Sequence, residues 1–187
     1  MRIVLTNWKY LEYTYLHRKA LVYTINKLIT DEGLKERMLE RAEIHDLDKS
    51  TLYLFLPKED ASNYHRNHAP HHVENSIPKT KNDLIETVLD YECAGYTKID
   101  KPLNAYDTIK QFNPSHKEEL LEIVRELGID YSYRNADDEE FKEYIKQYTP
   151  VSPNDVLQEI FHYLDIVKNN VLINGPIIFT DPKNELQ

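Results

Sequence analysis

Five of the eight histidines fall between Ile44 and Val73. The segment opens with His45-Asp46-Leu47-Asp48-Lys49 and closes with Tyr64-His65-Arg66-Asn67-His68-Ala69-Pro70-His71-His72. Imidazoles and carboxylates are the donors that many divalent cations take. Cys93 is the only cysteine, so an intrachain disulfide and a thiolate cluster are both excluded. A pH-sensitive surface loop is the competing reading of His65 to His72, but four imidazoles beside Arg66 repel one another once protonated.

The elements that must position these residues read as helices. Tyr10, Tyr13, His17, Leu21, Thr24 and Leu28 recur at spacings of three and four, so they share one face of a first helix capped by Thr6 and reaching about Thr30. His17 stands mid-helix on that inward stripe, where a core histidine with one hydrogen bond is the plainer reading. Asp31 and Gly33 break the helix, and a second runs from about Leu34 to His45 with Leu34, Met38, Ala42 and His45 on one face. Adjacent His45 and Asp46 at a helix end can both reach one ion lying at that terminus. His65 and His68 share a face of a short helix around Ala61 to His68, and Pro70 leaves His71 and His72 on an extended segment.

Thr80 caps a helix of about Lys81 to Ala94, stopped by Gly95. Leu84, Ile85, Val88 and Leu89 form its apolar face, with Glu86 and Asp90 one turn apart on another. A solvated acidic face is the plainer reading of that pair, although a cation would remove their mutual repulsion. Glu92 falls on the apolar side and needs a buried Tyr or Arg as partner. Further helices start at Asn113-Pro114 (ending at Gly128), at Asp137 or Asp138, and at Ser152-Pro153 through about Asn169, with an acidic loop over residues 129–140. The fold class is therefore all-α, a helical bundle in one domain over residues 1–176, followed by a tail (177–187) whose Ile177-Ile178-Phe179 can dock on the core.

Composition narrows the function classes. Only four glycines argue against a sandwich or barrel, which consume turn residues. A net charge of −9 disfavours an extended nucleic-acid surface, which wants a basic stripe. A small phosphorylated substrate stays compatible, because a bound cation reverses the local field. No signal-peptide core and no apolar run of about 18 residues is present, so a cytoplasmic protein without membrane attachment is expected.

His17, then His45-Asp46, then Asp90, stand in an order that resembles the H…HD…D ligand set of the HD-domain superfamily of metal-dependent phosphohydrolases. The run His45 to Lys49 looks like the HD-[apolar]-x-K form common there. A closer resemblance is to an uncharacterised HD-like family of bacteria and phages, through His17-Arg18, His45 to Lys49, Asn67-His68-Ala69-Pro70-His71-His72, and Glu86-Thr87-Val88-Leu89-Asp90-Tyr91. The resemblance covers about residues 10–112; residues 113–176 are expected to complete the bundle.

What the resemblance implies is an HD-like bundle in which His17, His45, Asp46 and Asp90 hold a divalent ion. Mixed nitrogen and oxygen ligation suits Mn, Fe, Co, Ni or Zn, and Mg is a further candidate ion. It implies hydrolysis of a small phosphoester, a nucleotide foremost, with Lys49 and Arg66 as phosphate contacts. Glu86 is expected to orient a ligand histidine or act as general base, and His68 to move a proton. His65, His68, His71 and His72 form a separate wall that faces substrate or a second ion, with His71 and His72 as substrate contacts. Two other readings stay open: a structural metal in a binding protein, and a metal-free interaction module.

Overall fold

The computed structural model describes residues 7–98 and 103–174. They form α1 (Trp8–Leu28), α2 (Glu32–Ile44), α3 (Leu47–Phe55), α4 (Lys58–His68), α5 (Lys81–Thr97), α6 (Ala105–Phe112), α7 (Lys117–Glu126), α8 (Glu139–Lys146) and α9 (Pro153–Asn174). A single 3-10 turn, Asn135–Asp137, precedes α8. No strand occurs among the described residues, so the all-α reading holds. None of their helices is long and apolar enough to cross a membrane. Thr6 and the docking segment Ile177 to Phe179 lie outside the described residues.

Short polar side chains satisfy the first free amides of most helices. The Leu34 amide donates to Asp31, the Asp107 amide to Asn104 and the Phe141 amide to Asp138. Thr80 and Asp83 cap each other reciprocally at the start of α5. Gly128, at φ +71°, ends α7 in the left-handed conformation that glycine takes without strain, and the Ile129 amide closes on the Val124 carbonyl.

Several expectations need correction. Residues 47–55 form α3 and residues 105–112 form α6, neither expected from the sequence, because helices of nine and eight residues offer few turns over which a helical period can be read. Asn113 ends α6 in a left-handed turn, so α7 begins at Lys117 instead of at Asn113-Pro114. Gly95 does not stop α5, which continues to Thr97. A Cβ there would lie 2.9 Å from Asn135 Cγ and from the Leu103 carbonyl, so this glycine admits a close neighbour.

Two apolar cores meet along α1. Leu21, Ile25, Val88, Leu89, Ile109, Leu120, Val124 and Phe141 belong to the larger one. Leu11, Tyr15, Tyr53, Ala61, Val151, Val156 and Ile160 form the smaller, which joins α1, α3 and α4 to α9. Each such fully buried aliphatic side chain contributes on the order of 1.5–3 kcal/mol. His17 lies on α1 between the residues that feed the two cores, which puts an imidazole where the helices converge. The polar side of α5 is covered too: Asp83 to Leu89 are all buried, so Glu86 is not on a solvated acidic face.

Candidate metal centre

The centre is organised by the turn between α2 and α3. His45 follows the last residue of α2 in an extended conformation, and Asp46 takes φ 59°, ψ 6°. A left-handed aspartate is uncommon outside turns and costs backbone energy. Here the kink drives the Asp46 carboxylate inward, where its side chain is 2 % exposed.

Four imidazoles turn Nε2 toward this carboxylate. His17 Nε2 lies 4.0 Å from Asp46 Oδ2 and 2.8 Å from Asp90 Oδ1. His45 Nε2 lies 3.7 Å from both Asp46 Oδ1 and Asp90 Oδ1. His65 Nε2 is 2.8 Å from Asp46 Oδ1, out of line for a hydrogen bond, and His71 Nε2 is 3.8 Å from the same oxygen. His65 and His71 hold their Nε2 atoms 3.4 Å apart.

The opposite ring nitrogens are tethered. Nδ1 of His45 bonds to Glu86 Oε1 at 2.8 Å, and Nδ1 of His65 to Asp48 Oδ1 at 2.8 Å. His71 Nδ1 is 3.4 Å from Glu86 Oε1, and His17 Nδ1 is 3.4 Å from Thr97 Oγ1. A proton held on Nδ1 by a carboxylate leaves the Nε2 lone pair pointing inward, the arrangement that orients metal-binding histidines. Arg41 in turn donates to Glu86 and Asp83, which engages the second Glu86 oxygen.

The charges are coupled. Burial works against an ionised Asp46, yet Lys49, His45 and His65 hold its carboxyl well below the usual range. Burial also disfavours a charged His45, but Asp46 and Asp90 push it up to about 10. His71 is driven well below its ordinary value by burial and by His45. Cys93 Sγ lies 3.6 Å from the His17 ring nitrogens, but burial and Asp90 raise its pKa, so it stays a neutral thiol.

The residues that can hold an ion fall into small groups: His17, His45 and Asp46; His45, His71 and Asp90; His65, His71 and His72; and His17, Asp90 and Cys93. Donors sharing one ion at about 2.0–2.2 Å sit roughly 3–3.5 Å apart. The inward separations of 2.8–4.0 Å bracket that spacing. The fit has a second sign. His45 Nε2 and Asp46 Oδ1, both buried, have no hydrogen-bond partner, and a buried polar atom left unpaired is costly unless something else engages it.

The separate histidine wall is therefore corrected. His65 and His71 converge on Asp46 together with His45: α4 docks against α3 and brings His65 over the turn, and Thr87 of α5 donates to the carbonyl of His71 in the loop beyond α4. His68 does not join them. It is exposed at the end of α4, bonded to the Tyr64 carbonyl at 2.7 Å and stacked on the Tyr64 ring. Three residues turn a helix by about 300°, enough to part His68 from buried His65. His72 is half-buried, with Nδ1 3.4 Å from Glu74 and Nε2 unpartnered.

A cavity of about 530 Å³ opens on His17, Asp46, Asp90 and His72, and Lys49 and Arg66 line it. Lys49 Nζ is 2.7 Å from Asp46 Oδ2, and Arg66 is exposed at the rim. A second cavity of about 370 Å³ approaches Asp46, His65, His71 and Glu86 between Tyr64 and Tyr163. Asp48 and Arg41 were not singled out from sequence; the carboxylate two residues beyond Asp46 was the available signal for the first. No known family model, curated protein or solved structure matches the chain.

Proposed function

We propose that the protein is a metal-dependent phosphohydrolase acting on a small phosphoester, a nucleotide foremost. His17, His45, Asp46 and Asp90 would hold one divalent ion, and Asp46 with His65 and His71 a second. The observation that carries this reading is the pair of buried, unpartnered atoms His45 Nε2 and Asp46 Oδ1 within a ring of inward-facing Nε2 atoms. An ion bound there supplies a Lewis acid and a more acidic water.

The chain's own residues supply the rest. Lys49 and Arg66 face the cavity and bind phosphoryl oxygens. Glu86 and Asp48 keep His45 and His65 in the tautomer that presents Nε2. With both oxygens engaged, Glu86 serves as an orienting group and not as the base. In hydrolysis a water oxygen bonds to phosphorus, the ester P–O bond breaks, and the water proton ends on the departing oxygen. His72, which lines the cavity, is the imidazole placed to relay that proton.

The test is metal analysis of protein purified without a histidine tag, followed by a phosphomonoester and phosphodiester panel. Bound metal with turnover that Asp46→Asn abolishes supports the reading. Bound metal without turnover of any phosphoester rejects the enzyme, and absence of binding to Mn, Fe, Co, Ni, Zn or Mg rejects the centre.

A further inference from the structure

The larger cavity carries more positive charge than one phosphate can use. Lys9, Lys49, Lys58, Arg66 and Lys98 all line it, in a chain whose net charge is −9. These cations come from four helices: Lys9 from α1, Lys49 from α3, Lys58 and Arg66 from α4, and Lys98 from the end of α5. Among the described residues Lys49 is ion-paired, to Asp46, whereas Lys9, Lys58 and Arg66 have no carboxylate partner. Like charges gathered around a concave surface repel one another, and an anion removes that cost.

Their spacing along the helices decides what kind of anion. Lys9 stands eight residues before His17, and Lys98 eight residues beyond Asp90. At 1.5 Å per residue, Lys9 is rooted about 12 Å along α1 from His17, whereas Lys98 follows Thr97, whose Oγ1 lies 3.4 Å from His17 Nδ1. A single phosphate seated at the ligands meets Lys49 but leaves the outer cations unanswered. A chain of phosphates leading away from the centre meets both sets. The tyrosines of the cavity fit this role better than that of a shelf for an aromatic base. Lys9 and Lys58 lie over the Tyr10 ring, 4.8 and 5.7 Å from its centroid, so the ring serves to hold ammonium groups. Tyr13 is stacked on His17.

We infer that this cavity recognises a chain of two or more phosphates, with one phosphate at the metal ligands and the others along Lys9, Lys58, Arg66 and Lys98. This rests on the proposed phosphohydrolase site for its orientation, but the binding it describes needs no turnover. The same chemistry is offered by a nucleoside di- or triphosphate and by inorganic polyphosphate.

Titration calorimetry at fixed free Mg²⁺ tests it, with nucleoside mono-, di- and triphosphates, a β,γ-methylene triphosphate, inorganic phosphate and tripolyphosphate as probes. The triphosphates are expected to bind at least about tenfold tighter than the monophosphates. Lys9→Gln and Lys58→Gln should each narrow that gap about threefold, whereas Lys142→Gln on α8 should leave it alone. All three variants must retain the helical circular dichroism of the parent. A nucleoside triphosphate that outbinds tripolyphosphate identifies a nucleoside source, and equal binding identifies the phosphate chain itself. Monophosphates that bind as tightly as triphosphates, or a gap unmoved by Lys9→Gln and Lys58→Gln, would overturn the inference. The methylene analogue resists cleavage only at its β,γ bridge, so every probe is also assayed for hydrolysis: selective binding without hydrolysis of any probe would reject the hydrolase alone, and hydrolysis with a monophosphate preference would reject the polyphosphate site alone.

Discussion

His45 donates its Nδ1 proton to Glu86 Oε1 at 2.8 Å, and that bond decides which nitrogen of His45 faces Asp46. The carboxylate is itself held by Arg41, so the orientation of His45, a candidate ligand on the α2–α3 turn, is set from α5. Glu86→Ala should lower metal affinity about 10–100-fold, the usual cost of removing such a partner. Competition with a chromogenic chelator measures it; unchanged affinity would show that the contact does not orient His45.

Asp46 can be tested without disturbing the backbone. Asparagine tolerates the left-handed conformation at φ 59°, so Asp46→Asn keeps the turn while removing the charge. The variant should fold, and it should lose the rise in melting temperature that divalent ions give the parent. A metal-dependent rise equal to the parent's would exclude Asp46 as a shared ligand.

The metal-free protein should lose stability on the alkaline side. His45 is raised from an ordinary value of 6.5 to about 10, with burial opposing the shift and Asp46 and Asp90 driving it. A raised value means the folded state binds the proton more tightly. The contribution is then complete below pH 6.5 and is lost as pH climbs through 10. An ion needs the unprotonated imidazole, so its stabilisation should grow over the same interval. Melting curves with and without metal between pH 6.5 and 10 should diverge upward; parallel curves would contradict the linkage.

The contact between α1 and α9 also bears on the centre. Arg18 pairs with Glu159 and donates to the Glu43 carbonyl at 2.6 Å, two residues before His45. Both side chains are buried, and burial lowers the Arg18 pKa and raises that of Glu159 in spite of their attraction. Removing one partner strands the other, so Glu159→Ala should destabilise by about 3–5 kcal/mol, whereas the double change Arg18→Met with Glu159→Leu should be close to neutral. Urea unfolding of the three proteins would separate these outcomes.

Gly95→Ala should cost about 1–3 kcal/mol, because its Cβ would meet Asn135 and the Leu103 backbone at 2.9 Å. A thermal melt equal to the parent's would mean that the Asn135 turn yields without cost.

Much was legible in the sequence because it is local. The phase of a helix follows from spacing, so the inward positions of His17 and His45 could be read from Leu21 and Met38. The cap at Thr80 and the helix start at Asp138 depend on residues three apart and stand where the side-chain chemistry puts them, whereas Asp31, read from sequence as a helix breaker, also caps α2. The buried Glu92 calls for a Tyr or Arg partner, and it is Tyr133 that donates to it, at 2.5 Å. Helices α3 and α6 are not legible in the sequence, because each is short and takes its support from packing.

The sequence by itself determined an all-α chain and the residue types that can hold a divalent ion. It could not determine how those residues are shared. His65 and His68 look equivalent in the chain, yet one faces Asp46 and the other solvent. That difference, and the meeting of His17, His45, His65 and His71 around one carboxylate, arises when α1, α4 and α5 close over a single left-handed turn. Only tertiary packing sets distances between residues up to 73 positions apart, because burial of the apolar faces orients each helix and the candidate ligands ride on the faces so oriented.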